Sequence, residues 1–198
     1  MNGMRRMGVA IVCMGVTAGV FAQAPADAPR EGAVPLTQLI SIVAKQGGRK
    51  FVIDPRVRAD VLIVGQDASS ITYAGFLTIL QVHGFAAVEG GGYVRVVPEA
   101  YARQMSVANV TGKEAHADAE YVSRIIPVGN MPAAMLVPIL RPLLPQQAHL
   151  VAVSCSNVLM IVDTFGNVKR IETLVQALDV GEGYQPEKCG TKQPVAGA

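Results

Sequence analysis

Three histidines (His83, His116, His149), the triplet Ser154-Cys155-Ser156 and two strand-ending aspartates (Asp54, Asp163) are the side chains that could do chemistry in this chain. A zinc-type site needs His, Cys, Asp or Glu ligands in closely spaced pairs. The histidines stand far apart in sequence, and none has a partner set at ligand spacing. His83 ends a helical stretch and reads as a capping or packing residue, His116 falls in a polar connection, and His149 starts a strand. A serine nucleophile needs a glycine-framed turn between strand and helix, and Ser154 and Ser156 have none. Asp54 and Asp163 stand where α/β enzymes often place catalytic groups. Each reads more simply as the residue that opens a turn by bonding its own backbone. The residues offer no catalytic, cofactor-binding or metal set, and no enzyme is expected.

The anion-binding candidates are no stronger. Gly90-Gly91-Gly92 lies between two apolar runs, Phe85–Val88 and Tyr93–Val97, and reads as a hairpin turn. A phosphate cradle would open a helix instead. Arg49, Lys50, Arg56 and Arg58 form a basic cluster that reads as a solvated loop, with partner binding as its functional alternative. Aromatics make up 5% of the chain and Trp is absent, which suits neither base stacking nor sugar binding.

The N-terminus has the pattern of a secretory leader. Arg5 and Arg6 precede the uncharged run Met7 to Ala22, shorter than the roughly 20 apolar residues of a membrane span. Val20 and Ala22 fit the small-residue rule for cleavage before Gln23, and Pro25 disfavours a later cut. Of 17 Lys and Arg, two would leave with the leader, so 15 remain against 15 Asp and Glu. The exported chain is then formally neutral and lacks the basic excess that nucleic acid demands. Cys155 and Cys189 would meet oxidising conditions, where a disulfide can form. Cys155 stands at a strand–turn junction and Cys189 in a Gly/Pro-rich tail, which favours two independent thiols over a bridge.

These residues are carried by a repeated α+β pattern. After an Ala/Pro linker (23–33), Leu36, Leu39, Ile40, Val43 and Ala44 mark one face of a helix ending at Gly47-Gly48. Strands at Lys50–Asp54 and Val61–Val64, separated by Pro55, precede a helix over Ser70–His83 and the glycine hairpin. Residues 98–119 are polar and aperiodic and read as a boundary. A strand at Tyr121–Val128 follows, then a helix opened by Pro132 that carries Met135, Leu136, Ile139, Leu140 and Leu143. Pro138 and Pro142 should kink or shorten it. Strands at His149–Val153 and Val158–Val162 lead to a stop at Asp163–Asn167. The last helix keeps Val168, Ile171, Leu174, Val175 and Leu178 on one stripe. The order β-α-β-β-α occurs twice.

At this point the phrases are recognisable. FLTILQVHGFAAV (76–88) with KFVIDPRV (50–57) resembles the first periplasmic domain, N-zero, of type II secretion secretins. RIIPVGNMPAAMLVPILRPLLP (124–145), followed by SNVLMIVDTFGNVKRIETLVQALD (156–179), resembles the next domain, N-one. The resemblance implies an α+β fold of two small mixed-sheet domains, an N-zero domain like the signalling domain of TonB-dependent receptors and a KH-like N-one domain. The Gly-x-x-Gly that a KH domain uses on RNA is absent between the N-one helices, so no nucleic-acid role follows. The expected organisation is a signal peptide (1–22), a linker (23–33), N-zero (34–104), a linker (105–118), N-one (119–180) and a disordered tail (181–198). In N-zero the residues before Pro35, PREGAV, lack the alternation expected of a first strand. Nothing after Asp179 reads as membrane strands, so a chain without the channel-forming domain is expected.

The function implied is a periplasmic protein that assists type II secretion by binding components of the outer-membrane channel complex. Its partners would be the secretin channel and an inner-membrane clamp component, with homo-oligomers also compatible. No cofactor, nucleic acid or small-molecule substrate is implied. Arg49, Lys50, Arg56 and Arg58 are the candidate partner-binding residues, and they would steer association. The rivals are a receptor-like signalling and binding module, whose first domain alone would bind, and a truncated secretin remnant without activity.

Overall fold

The computed structural model describes residues 32–112 and 114–186. The leader, its cleavage before Gln23, most of the 23–33 linker and the tail from Glu187 lie outside the described residues.

The first half runs β1 (Val34–Pro35), α1 (Leu36–Gly47), β2 (Phe51–Ile53), β3 (Asp60–Val61), α2 (Tyr73–Val82), β4 (Phe85–Gly90) and β5 (Tyr93–Pro98). Leu36, Leu39, Ile40 and Val43 recur at helical spacing, and all four are buried. The helix stops where Gly48 turns left-handed (φ 61°). α2 is capped by Thr72, whose Oγ1 accepts from the Gly75 N–H at 3.2 Å. Its Phe76, Leu77 and Leu80 join α1 and the sheet in one core. That sheet is mixed, in the order β2-β5-β4, with β2 parallel and β4 antiparallel to β5. Gly91 and Gly92 both take positive φ (63° and 78°), the signature of the tight hairpin their sequence implied.

α3 (Glu99–Ala102) closes the first half, and the second runs β6 (Ala108–Asn109), β7 (Tyr121–Pro127), α4 (Ala133–Leu140), β8 (His149–Val153), β9 (Val158–Thr164) and α5 (Phe165–Leu178). Its mixed sheet has the order β6-β7-β9-β8, with β6 parallel to β7 and the other pairs antiparallel. α4 and α5 cover one face, where Leu136, Leu140, Val168 and Ile171 pack on Leu159 and Ile161.

Three local expectations change. The polar stretch 98–119 is structured: α3 packs on the first sheet, and β6, inside the expected 105–118 linker, pairs with β7. The stop at Asp163–Asn167 is absent. β9 continues through Thr164 and α5 begins at Phe165, because the Asp163 carboxylate takes the Thr164 N–H at 2.7 Å and the Asn167 amide at 2.9 Å. In α4 the buried residues are Ala133, Leu136 and Leu140, while Met135, Ile139 and Leu143 are exposed. The segment is apolar all round, so its periodicity could not select a face. Pro138 and Pro142 shorten this helix as expected: it ends at Leu140 and gives way to a tighter turn over Arg141–Leu143.

The repeated order also hides a difference in pairing. β8 and β9 form a hairpin, whereas β2 pairs with β5 and β3 with β1. Pro55 and a six-residue connection separate β2 from β3, and a four-residue turn joins β8 to β9.

Candidate partner-binding surface

The four basic residues do not make one patch. The Arg49 guanidinium bonds the Glu89 carboxylate and lies over the Tyr73 ring, 3.9 Å from its centroid. Arg56 grips Asp54 with two hydrogen bonds of 2.9 and 2.8 Å and stacks over Tyr101. Those bonds hold the Asp54 carboxyl down at about 2. The Arg56 N–H also donates to Asp54 Oδ1 at 2.9 Å, the local turn the sequence implied. Lys50 borders a groove of about 320 Å³ beside the glycine hairpin with Arg49 and Glu89. Arg58 borders another, with Leu36 and Asp60. Two of the four charges are thus neutralised inside the chain, by Glu89 and Asp54, whose pairing with them the sequence did not signal.

The larger unfinished surface is the face of the second sheet away from α4 and α5. Period-two alternation sends Leu159 and Ile161 into the core and their neighbours outward. Two cross-strand rows result: Ile125, Met160 and Val151 in one, Pro127, Val158 and Val153 in the other. All six are apolar. Ile125 is 56% exposed, Val153 39% and Met160 36%. Towards its other end the same face is closed by the first half of the chain. Tyr121 is buried there with Ala86, Val88 and Ala102, and its hydroxyl donates to Glu99 at 2.7 Å. Arg103 adds a bond to the Gln147 carbonyl.

The open end of these rows is fastened by Asn157, which sequence reasoning passed over. It is buried and left-handed (φ 49°), in the turn between β8 and β9. Its Oδ1 accepts from the Ala133 N–H at 2.7 Å, and its Nδ2 donates to the carbonyls of Val128 and Met131. Asn after a serine-rich turn is a possible left-handed signal, but nothing in the sequence points to its partners. In the same turn the Asn157 N–H donates to the Ser154 carbonyl and the Ser156 hydroxyl to the Val153 carbonyl, so both serines serve the backbone. Cys155 is disulfide-bonded, which corrects its reading as an independent thiol. The turn is half-exposed at Cys155. Cys189 lies outside the described residues.

Asp163 does not open a turn: it is fully buried at the end of β9. Burial pushes its carboxyl up to about 6, against the pull of the Thr164 and Asn167 donors, and Glu99 pushes the same way. His83 closes α2, its N–H reaching the Ile79 and Leu80 carbonyls. His116 meets Glu120 at 2.9 Å and packs near Phe165, and His149 starts β8.

The comparisons with known proteins agree with this architecture. A model of the GspD-like N0 domain matches residues 33–96. Secretin XcpQ of Pseudomonas aeruginosa is 35% identical over 146 residues, 73% of this chain and 21% of XcpQ. Secretin PulD of Klebsiella pneumoniae is 29% identical over 149 residues, 73% of this chain and 23% of PulD. A solved Klebsiella pneumoniae type II secretion outer-membrane complex, containing PulD, PulS and the PulC HR domain, superposes with a TM-score of 0.64. That match has 30% identity and covers 74% of this chain and 26% of the solved one. The chain belongs to the type II secretin N-domain family.

This secretin N-domain chain spans about a fifth of the length of the curated relatives it matches. Its α+β class and its place among type II secretion proteins follow from the family. The N0 match takes in α1, α2 and the first sheet. Among the described residues, no helix is long and apolar enough to cross a membrane.

Proposed function

We propose that this secretin N-domain protein works in the periplasm as a binding module of a type II secretion apparatus, without turnover. The observation that carries the reading is the outer face of the second sheet. Among the described residues, six apolar side chains in two rows are left without a covering layer there, while the protein's own helices cover the opposite face. An exposed, contiguous apolar face of this kind marks a protein interaction site. Among the described residues, the sheet's β8 edge pairs on one side only and could accept a partner strand. In the Klebsiella complex, PulD is assembled with PulS and the PulC HR domain. By likeness, the partners proposed here are protein components of that type: the channel's own N-domains and an inner-membrane clamp component. A second copy of this chain is a further candidate, because Met135, Ile139 and Leu143 form an exposed apolar helix stripe that could lie on such a face.

The division into a leader, an N-zero-like unit over 34–104, an N-one-like unit over 119–180 and a tail is part of the same proposal. The two separate cores support it, and the contacts of α3 and Tyr121 make the units neighbours. Lys50 and Arg58 are the basic residues left to steer encounter.

One observation favours the receptor-like alternative. Leu62, Ile63, Ile79 and Val82 line an open groove of about 250 Å³ in the first half, with Leu62 52% and Val82 78% exposed. If that groove is the binding site, the first half alone carries recognition. The test is affinity capture by the mature chain from an envelope fraction, together with secretion assays after deletion of its gene. Channel components captured, with secretion impaired, support the assembly reading. A groove variant, Leu62→Glu with Val82→Glu, that abolishes capture would move recognition to the first half. No capture and unchanged secretion would leave the remnant reading standing.

A further inference from the structure

Among the described residues, Arg95 is the one arginine that donates to nothing. Arg49, Arg56 and Arg124 bond the carboxylates of Glu89, Asp54 and Glu172. Arg58, Arg103, Arg141 and Arg170 bond backbone carbonyls. The Arg95 side chain is half-buried, and its Nε is shut away from water without a partner. Arg124 Nε is also shut away, but that guanidinium has Glu172. A buried donor left unmade costs free energy, so a fold that keeps one calls for a reason.

The strand register shows what surrounds Arg95. It pairs with Val52 of β2 on one side and with Val88 of β4 on the other. Val94 and Val96 belong to the first core, so alternation places Arg95 on the outer face of the sheet with both of these valines. Val88 is buried with Ala102 and Tyr121, while Val52 is 51% exposed. The head of Arg95 leans along the sheet to Gly90, where a Cβ would stand 2.7 Å from Nη2. Gly90 is not among the glycines of positive φ, so what its missing side chain provides is room for the guanidinium.

The next row on this face is Lys50, Tyr93 and Gly90. The Val94 N–H donates to the Lys50 carbonyl at 2.8 Å, and Tyr93, 47% exposed, pairs with Gly90. Asp54 continues the alternation of Lys50 and Val52, but Arg56 already holds it. The face therefore presents two cations, an exposed ring and an exposed valine, with no carboxylate left to answer the charge.

We propose that Arg95, seated on Gly90 between Val52 and Tyr93, anchors a second binding site that takes an Asp or Glu side chain of a protein partner. A guanidinium meets a carboxylate through two parallel N–H bonds. Here folding has already removed water from one side of the cation, so less remains to be stripped on binding. Arg and Tyr beside an apolar residue have the composition of an interface anchor. Val52 and Tyr93 would be covered by the residues flanking the partner's acid, contacts that a free carboxylate ion would leave wet. Lys50 adds charge that draws the acid in. The site presupposes that the protein is a binding module, yet it lies on a different sheet from Ile125 and Met160, so the two contacts fail separately.

The test is biolayer interferometry of the mature protein and Arg95→Met against the purified periplasmic parts of a cognate type II secretion machine. Methionine keeps the apolar stem and removes the charge, so Tm should be equal or higher. Affinity should fall roughly tenfold or more, chiefly through faster dissociation, and Arg95→Lys should recover only part of it. Lys50 is diagonal to Arg95, at a Cβ separation of roughly 7–8 Å. Carbodiimide should therefore join the Lys50 amine to an Asp or Glu of the partner, a link that mass spectrometry should find in wild type and miss in Arg95→Met. Unchanged affinity, or a link that persists in Arg95→Met, would overturn the site and leave the binding-module reading standing. A lower Tm for Arg95→Met would make Arg95 a structural residue. Loss of wild-type binding in millimolar free glutamate would assign the site to a small acid and overturn the protein partner. No binding by wild type would remove the binding-module reading and the site with it.

Discussion

Asn157→Ala should be among the most damaging single changes in the second half of the chain. Asn157 is 4% exposed, and its side chain makes three hydrogen bonds: one from the Ala133 N–H and two to the carbonyls of Val128 and Met131. Alanine leaves all three backbone groups without that partner. A buried group so orphaned costs about 1–3 kcal/mol, and groups sharing one side chain relax together, so the three do not simply add. Alanine must also hold φ near 49°, which costs roughly 1 kcal/mol more than for asparagine. The net loss should be about 3–4 kcal/mol, a fall in Tm of about 10 °C for a domain pair of this size. Asn157→Gly loses the same bonds without the backbone strain, so it should be milder by about 1 kcal/mol. Asn157→Asp keeps the acceptor for Ala133 but turns its donors into lone pairs facing carbonyls, and should be no better than alanine. Urea unfolding of the three variants measures the order. An alanine variant within about 0.5 kcal/mol of wild type, or a glycine variant worse than alanine, would refute the reasoning.

Asp163 makes stability depend on pH in an unusual direction. Its carboxyl is raised to about 6 from an ordinary 3.8, so the folded state holds the proton more tightly than the unfolded chain. Stability should therefore rise as pH falls from about 7 towards 4, by about 2–3 kcal/mol at most. Asp163→Asn should flatten the profile, and a wild-type profile that is flat or falling over that range would count against the buried charge. Tyr121→Phe removes a donor to Glu99 and should lower stability by about 1–2 kcal/mol. It should also hasten proteolysis within 111–117, and unchanged values would mean the two halves are not coupled there. Lys50→Ala and Arg58→Ala should slow partner association at low salt and have little effect once ionic strength screens them. Arg56→Ala should chiefly disturb the Asp54 turn. An Arg56 effect on association larger than that of Lys50 would reverse this assignment.

Much of the architecture was legible because periodicity and punctuation agreed. The stripe of α1, the glycine hairpin and β8 each had a single pattern that tertiary packing could satisfy, and in α5 the expected stripe held at Val168, Ile171 and Val175, with Leu174 half-buried and Leu178 exposed at the helix end. The failures have physical causes. α4 is apolar on every side, so its exposed stripe of Met135, Ile139 and Leu143 could be found only once β8 was in place beneath it. Asp163 looked like a turn residue because a buried carboxylate is rarely left without a cation, and here a backbone N–H and an asparagine amide stand in. The stretch 98–119 is polar, yet one small residue, Ala102, is enough to seat α3 against β4. For the surface, the basic residues were visible as charges, but their pairing with Glu89 and Asp54 depends on β4 and on a local turn. The apolar rows Ile125–Met160–Val151 and Pro127–Val158–Val153 required the register of three strands.

The most direct test of the binding account is the affinity of the mature protein for the purified periplasmic parts of a cognate type II secretion machine. It is measured by biolayer interferometry beside the double variant Ile125→Glu with Met160→Glu. Both residues are exposed on the uncovered face, so the variant should fold with an unchanged Tm. Wild type should bind at micromolar concentration or better. The variant should bind at least tenfold more weakly, since two charges would have to be buried against an apolar partner. Equal affinity of the two proteins, or no binding by wild type, would contradict the claim that the protein acts through that face.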